Sequence, residues 1–138
     1  MRALLLPVGR DTYAIPVDAA REVVGDPRAT PVPTAPRALL GLLNVRGEIV
    51  PLFDTRSLLE AVPSPSCAYA VVVESSRGHG ALAATGLPVV AELGDPVASA
   101  ELPGATTVHR VDDRLVTLLD VEGVFGAAGP DGAGSAST

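Results

Sequence analysis

The stretch LLGLLNVRGEIVPLFDTRSLL, residues 39–59, decides the predicted fold because two apolar runs in it meet at a tight turn. The runs Leu39–Val45 and Glu48–Phe53 flank Arg46 and Gly47, and glycine supplies the positive φ that a two-residue hairpin loop requires. Asn44 stands where an amide side chain can bond back to the turn backbone. The stretch therefore predicts a β-hairpin with Arg46 at or beside its apex.

The end of the same stretch predicts a short helix. Asp54 directly follows the second apolar run and is a typical N-cap residue, so a helix is predicted over residues 55–61. Leu58 and Leu59 would then turn inward.

The composition favours short strands throughout the chain. Of 138 residues, 47% are hydrophobic and only 3% are aromatic, whereas Gly and Pro number 14 and 13. This density of turn residues disfavours long helices, and the apolar content suffices for a folded core. The chain is predicted to be all-β, with minor helical turns.

Charge and cysteine content narrow the class of protein. The net charge is −6 and no basic stripe with interleaved aromatic residues occurs, which argues against nucleic-acid binding. Cys67 is the single cysteine, so no internal disulfide can form, as is usual in a reducing compartment. The start of the chain is too briefly apolar for a signal peptide, and it is read as a strand of a soluble, cytoplasmic protein.

The remaining segments read as strands, loops and a tail. Apolar runs at residues 4–8 and 13–17 predict a second hairpin around a Gly-Arg-Asp turn. Residues 18–24 fit either a helical turn or the start of a strand, and the four prolines of residues 27–36 predict an extended loop. Residues 127–138 are small and polar and are predicted to be a disordered tail.

The second half of the chain repeats the plan of the first. A shift of 67 residues superposes the apolar run Leu4–Leu6 on Val71–Val73, and a shift of 66 superposes residues 48–59 on residues 114–125. The second shift places Asp54 on Asp120. Two nearly equal offsets in the same order predict an internal duplication whose units, each about 60 residues long, must pack together to bury a core.

The sequence contains no group of residues that is arranged for catalysis or metal binding. His79 and His109 are not at metal-ligand spacing, and Cys67 reads as a small buried thiol. The adjacent carboxylates Asp112 and Asp113 read as a hairpin tip, and the glycines around His79 as a plain turn. We expect no enzyme activity, no metal and no cofactor, which leaves binding as the function.

From physics alone, Arg46 is either a solvated turn residue or an interface anchor that offers five hydrogen-bond donors to a partner.

The quoted stretch resembles the signature of the CheW-like family, the adaptor domains of bacterial chemotaxis arrays. The matching motif is Gly-hydrophobic-x-Asn-hydrophobic-Arg-Gly, then an apolar strand with Pro, then Asp-hydrophobic-Arg. Upstream, YAIPVDAAREVV and the proline-rich connector are also similar to the family pattern. The resemblance covers residues 3–126 and is most specific in the first half.

The resemblance implies a fold and a domain layout. The family fold is two intertwined SH3-like five-stranded β-barrels, here expected within one CheW-like domain over residues 1–126. The first barrel is predicted over about residues 10–65, and the second over residues 2–9 together with 66–126.

The resemblance also implies partners and a site. Family members are non-catalytic cytoplasmic adaptors, recruited to receptor arrays, that join the hairpin tip of chemoreceptors to the regulatory domain of a histidine kinase. The implied receptor-binding residues are Val17, Ala20, Glu22, Asn44 and Arg46, with Gly47 forming the turn, and Glu22 is expected to form an ion pair with Arg46.

Two alternatives stay open. The second half departs from the family pattern at Ala84-Thr85 and has a shortened connector from Val90 to Val108, so a receptor-binding accessory protein with weak or no kinase binding is one alternative. The other is a small-ligand-binding β domain, which would use a cleft between the barrels with Asn44 and Arg46 as its polar groups.

Overall fold

The all-β prediction is confirmed. The computed structural model describes residues 1–60, 62–64 and 66–128, with the backbone alone described for residues 126–128. Short strands dominate, joined by tight turns as the glycine and proline content predicts. The strands are β1 (Arg2–Val8), β2 (Asp11–Pro16), β3 (Ala20–Gly25), β4 (Leu39–Val45), β5 (Glu48–Phe53), β6 (Tyr69–Ser75), β7 (Gly78–Ala84), β8 (Val89–Glu92), β9 (Pro96–Ser99), β10 (Ala105–Val111) and β11 (Arg114–Leu119). The helices are a 3-10 turn (Val17–Ala19), α1 (Thr55–Glu60) and α2 (Val121–Ala128).

Local predictions mostly match these bounds. Residues 18–24, which fitted either a helical turn or a strand, contain both, because the 3-10 turn leads directly into β3. The helix predicted after Asp54 is α1, and Ala61 lies outside the described residues. The predicted tail begins too early, because residues 127 and 128 belong to α2; residues 129–138 lie outside the described residues. His79, assigned to a turn, lies in β7.

The strands form two sheets. Sheet I has the order β8-β1-β2-β11-β10-β9, and sheet II has the order β3-β6-β7-β5-β4. Sheet II has the five strands expected of each barrel, whereas sheet I has six because β8 and β9 flank four longer strands. The strand pairing departs from the predicted division of the chain. Strand β2 joins sheet I, and β6 and β7 join sheet II, because each hairpin pairs with strands from the opposite half of the chain.

The pairing supports the internal duplication in detail. The bounds of β1, β4 and β5, shifted by 67, 66 and 66 residues, are those of β6, β10 and β11. In sheet II, Leu52 pairs in parallel with Ala81; the same offsets predict a pair of Leu118 with Ala14, which occurs in sheet I. The two halves therefore exchange hairpins reciprocally: β1–β2 completes the sheet of the second half, and β6–β7 completes the sheet of the first.

The exchanged hairpins also build the main core. Apolar side chains of β1–β2 and of β6–β7 pack face to face between the sheets, and both α-helices add side chains at the rim of this core. Because these side chains are almost entirely removed from water, the packing stabilises both units together. The members include Leu6, Ile15, Val71, Val73, Leu82, Leu59, Val124 and Phe125. Each sheet also encloses a smaller cluster of its own, around Val50 in sheet II and around Val116 in sheet I.

Candidate functional site

The β4–β5 turn has the conformation that its sequence predicts. Arg46 has φ 54° and Gly47 has φ 86°, so both loop residues adopt the left-handed region of a type I′ turn. The Gly47 N–H donates to Oδ1 of Asn44 over 2.9 Å. Since non-glycine residues seldom adopt a positive φ, the hairpin holds Arg46 in a conformation that costs about 1 kcal/mol. The backbone beneath the guanidinium group is therefore fixed.

Arg46 forms the expected ion pair with Glu22. Its Nε donates to Oε1 of Glu22 at 3.1 Å, and the two side chains are 81% and 30% exposed. The prediction of this pair is confirmed. Within the described residues this is the hydrogen bond that Arg46 makes, so the terminal nitrogens remain open to solvent. The arginine is exposed yet oriented, which reduces the entropy lost when it binds a partner.

The ion pair joins the two edges of sheet II. Glu22 lies on β3, one edge strand, and Arg46 lies at the end of β4, the other edge strand. Farther along, Thr30 and Leu42 exchange two backbone hydrogen bonds of 2.9 Å and link the same edges through the chain that follows β3. The site is thus built where the sheet curls back on itself.

The other predicted site residues lie on the same segment as Glu22. Val17 is half-buried in the 3-10 turn, and Ala20 begins β3, pairs with Val73 and packs against the main core. Neither makes a hydrogen bond to the Arg46 turn. Exposed apolar side chains adjoin the turn residues in the strands: Ile49 is 59% exposed and pairs with Asn44, and Val23, 40% exposed, follows Glu22 on β3. Val17 and Ala20 thus lie on the segment that leads into Glu22, and their part in receptor binding stays a prediction.

Two further side-chain contacts lie on the strands of sheet II, and the sequence did not reveal them. Nδ1 of His79 lies 2.6 Å from Oε2 of Glu48, and Arg21 lies 3.0 Å from Glu74. His79 and Glu48 are 31 residues apart in the chain, and only the parallel pairing of β5 with β7 brings them together. The repeat offset predicts which strands are equivalent but not which strands pair, so the sequence pattern carried no signal for this contact.

Asp54 ties α1 to the loop that follows it. Its buried carboxylate accepts hydrogen bonds from the Ser57 hydroxyl at 3.0 Å, the Ser64 N–H at 2.8 Å and the Ser64 hydroxyl. Asp54 directly precedes the helix, as predicted for an N-cap, although its carboxylate binds these serine groups. The first turn after β5 is therefore fixed by side-chain hydrogen bonds.

The residues considered for chemistry have structural partners. The imidazole of His109 is buried and lies 2.8 Å from the Thr107 hydroxyl and 2.8 Å from the Gly94 carbonyl. Cys67 is half-buried, and burial raises the pKa of its thiol, which lowers its reactivity. Across the described ranges, no three His, Cys, Asp or Glu residues are grouped so that they could hold a metal ion.

A surface cavity of about 520 Å³ lies away from the Arg46 turn. It is lined by the β1–β2 turn and the start of β11, including Arg10, Asp11, Thr12 and Arg114. Asn44 and Arg46, the polar groups expected for a small-ligand site, are not part of it. Among the described helices, none is long and apolar enough to cross a membrane.

Two sheets that exchange hairpins, with an arginine in the turn at the tip of one hairpin, define a duplicated β domain. The chain belongs to the CheW-like family, because the model of the CheW-like domain matches residues 2–129. It is 28% identical over 128 residues to chemotaxis protein CheW of Rhizobium meliloti (strain 1021), which covers 86% of this chain and 83% of that protein. It is 26% identical, with the same coverage, to a probable chemotaxis protein CheW of Rhizobium etli (strain ATCC 51251 / DSM 11541 / JCM 21823 / NBRC 15573 / CFN 42).

A solved structure shows the same fold. The crystal structure of scaffolding protein TtCheW from Thermoanaerobacter tengcongensis superposes with a TM-score of 0.79 at 16% identity, and the match covers 90% of this chain and 86% of that one. The sequence resemblance and its implied fold are therefore confirmed.

Proposed function

We propose that this protein is a non-catalytic cytoplasmic adaptor of chemotaxis signalling that couples chemoreceptors to a histidine kinase. The proposal is supported by membership of the CheW-like family and by relatives that are named chemotaxis proteins. In this proposal the cytoplasmic hairpin tip of the receptor contacts the Arg46 turn, and the regulatory domain of the kinase contacts another surface. Val17, Ala20, Glu22 and Asn44 complete the receptor site.

The ion pair between Arg46 and Glu22 is the observation on which the receptor site rests. A side chain that is 81% exposed gains little folding stability from such a pair, because solvent screens it. Its effect is to orient the planar guanidinium group, whose free edge can then bind a carboxylate or backbone carbonyl of the partner. Ile49 offers an exposed apolar contact on the same hairpin, and a central polar anchor with apolar surroundings is typical of binding hot spots.

A second surface is available for the kinase on sheet I. Its edge strands β8 and β9 expose Val89, Val90 and Val97, and exposed apolar edge strands favour contact with another protein. The β10–β11 turn, equivalent to the Arg46 turn, instead has Asp112 and Asp113. The two units therefore present different charges and suit different partners.

The alternative is an accessory protein that binds the receptor with weak or no kinase binding. It is supported by the departures of the second half from the family pattern, at Ala84-Thr85 and in the short connector from Val90 to Val108. The small-ligand alternative has less support because the described cavity does not include Asn44 or Arg46.

The test is capture of the purified chain separately by a receptor cytoplasmic fragment and by a kinase regulatory domain. Binding to both supports the adaptor, binding to the receptor fragment alone supports the accessory protein, and binding to neither refutes both. Arg46→Glu should weaken receptor capture by at least about 1–2 kcal/mol. The matched control is Arg28→Glu: Arg28 is also exposed (85%) and paired with an acid, Asp26 at 3.2 Å, but it lies in the loop beyond β3.

A further inference from the structure

A second acidic residue lies beside Arg46 on the same hairpin. Glu48 is separated from Arg46 by Gly47 alone, and it closes the turn by pairing with Val45. Glu22 already accepts the Nε hydrogen of Arg46. An arginine with two neighbouring carboxylates can satisfy both edges of its guanidinium group internally, and such a group has fewer donors left for a partner.

His79 holds the Glu48 carboxylate on the other side of the hairpin. Its Nδ1 lies 2.6 Å from Oε2 of Glu48, across the parallel pairing of β5 with β7. The imidazole is only 26% exposed, so it is less free to move than Glu48, which is 53% exposed.

The start of β7 is itself fixed by α2. Glu122 accepts hydrogen bonds of 2.7 Å from both the N–H and the hydroxyl of Ser76, in the β6–β7 turn. These two bonds lower the pKa of Glu122, which keeps its carboxylate ionised. The ring of Phe125 lies directly over Gly80, so that a Cβ there would be 2.7 Å from the ring. His79 therefore lies between two residues of the hairpin that α2 contacts.

We propose that His79 is a positioning residue for the Arg46 site. By holding Glu48 toward β7, it leaves Glu22 as the internal partner of Arg46 and keeps the terminal guanidinium nitrogens available to an acceptor on the partner protein. The proposal rests on the proposed function where receptor affinity is measured. A second measurement, on the free protein, does not depend on receptor binding.

The first experiment measures the affinity of the full chain for a receptor cytoplasmic fragment by titration calorimetry. His79→Phe releases Glu48 and should weaken binding about three- to fivefold, the range expected for one solvent-screened charge contact. His79→Asn, whose amide can still donate to Glu48, should bind like the wild type. The double variant His79→Phe/Glu48→Gln should also recover wild-type affinity, because the competing charge is gone.

Glu74 provides a matched control. It lies directly opposite His79 in the β6–β7 ladder, is 52% exposed and pairs with Arg21, but it is not on the Arg46 hairpin. The variant His79→Phe/Glu74→Gln should therefore remain as weak as His79→Phe. If Glu48→Gln does not rescue, or if Glu74→Gln rescues equally, His79 acts through packing or overall charge and the proposal is overturned.

The second experiment needs no receptor. In the free full chain, the Nε–H resonance of Arg46, assigned by its loss in Arg46→Lys, should shift in His79→Phe and return in His79→Phe/Glu48→Gln. An unshifted resonance in His79→Phe overturns the inference. If the wild-type chain does not bind receptor, the proposed function fails, and this resonance still decides whether His79 positions Glu48.

Discussion

In sheet II, the backbone of Gly41 passes so close to Thr30 that a Cβ on Gly41 would lie 2.5 Å from the Thr30 carbonyl oxygen. Gly41 also has φ 156°, and its neighbour Leu42 makes the two backbone bonds to Thr30 that link the edges of the sheet. The atom in the way belongs to the backbone and cannot swing aside. Gly41 is therefore required for the closure that brings Glu22 and Arg46 together.

Gly41→Ala should lower the free energy of unfolding by about 2–3 kcal/mol, because the new methyl group forces Thr30 away from Leu42. Urea unfolding measures the change. The control is Gly94→Ala, where nothing lies within 4 Å of the added Cβ. Equal stability of Gly41→Ala and wild type would mean that the edge contact is loose.

Arg46→Asn should separate folding from binding at the hairpin. Asparagine tolerates positive φ better than arginine and forms the preferred Asn-Gly turn, whereas the ion pair with Glu22 is lost; the two effects oppose each other and each is below about 1 kcal/mol. We expect the melting temperature to change little and affinity for the receptor fragment to fall about tenfold. A large drop in melting temperature would instead assign Arg46 a structural role.

Tyr13 should make stability depend on alkaline pH. Burial, followed by the 2.6 Å hydrogen bond from its hydroxyl to Glu60, raises the pKa of Tyr13 above its ordinary value of about 10. Above about pH 10 the unfolded chain loses this proton while the folded chain keeps it, so the free energy of unfolding falls as pH rises.

Urea unfolding at a series of pH values from about 9 to 11 checks this dependence. Tyr13→Phe should remove this contribution, and Tyr69→Phe, which changes the other of the two tyrosines, should retain it. An identical alkaline decline in Tyr13→Phe would show that other groups cause it.

The exchange of hairpins predicts that half-chains fold only together. Residues 1–66 lack β6 and β7, which pair with β3 and β5, and residues 67–138 lack β1 and β2, which pair with β8 and β11. Each half should give an NMR spectrum without dispersed amide signals, and mixing should restore the dispersed spectrum of the full chain in a 1:1 complex. A half that folds alone would contradict the reciprocal pairing.

The sequence was sufficient for features set by neighbouring residues. Gly47 and Asn44 fix the turn through local backbone conformation and one side-chain bond, and Asp54 marks the start of α1. The family resemblance then predicted the ion pair between Arg46 and Glu22. The repeat offsets of 66 and 67 residues correctly matched β1 with β6 and β5 with β11.

Long-range pairing could not be predicted in the same way. A hairpin with two apolar faces, such as residues 2–16, fits either sheet equally well, because its alternation does not specify the partner strand. The division of the strands between the sheets was therefore not available from the sequence pattern. The contact between His79 and Glu48 depends on that division and was missed for the same reason.

The reciprocal exchange also has a mechanical consequence. Each half of the chain contributes a hairpin to the sheet of the other half, so the two halves cannot separate without breaking backbone hydrogen bonds inside both sheets at once. Movement of one sheet against the other breaks no such bond and is opposed instead by the apolar core between them. A pulling force applied to the two chain halves is therefore resisted by both sheets together.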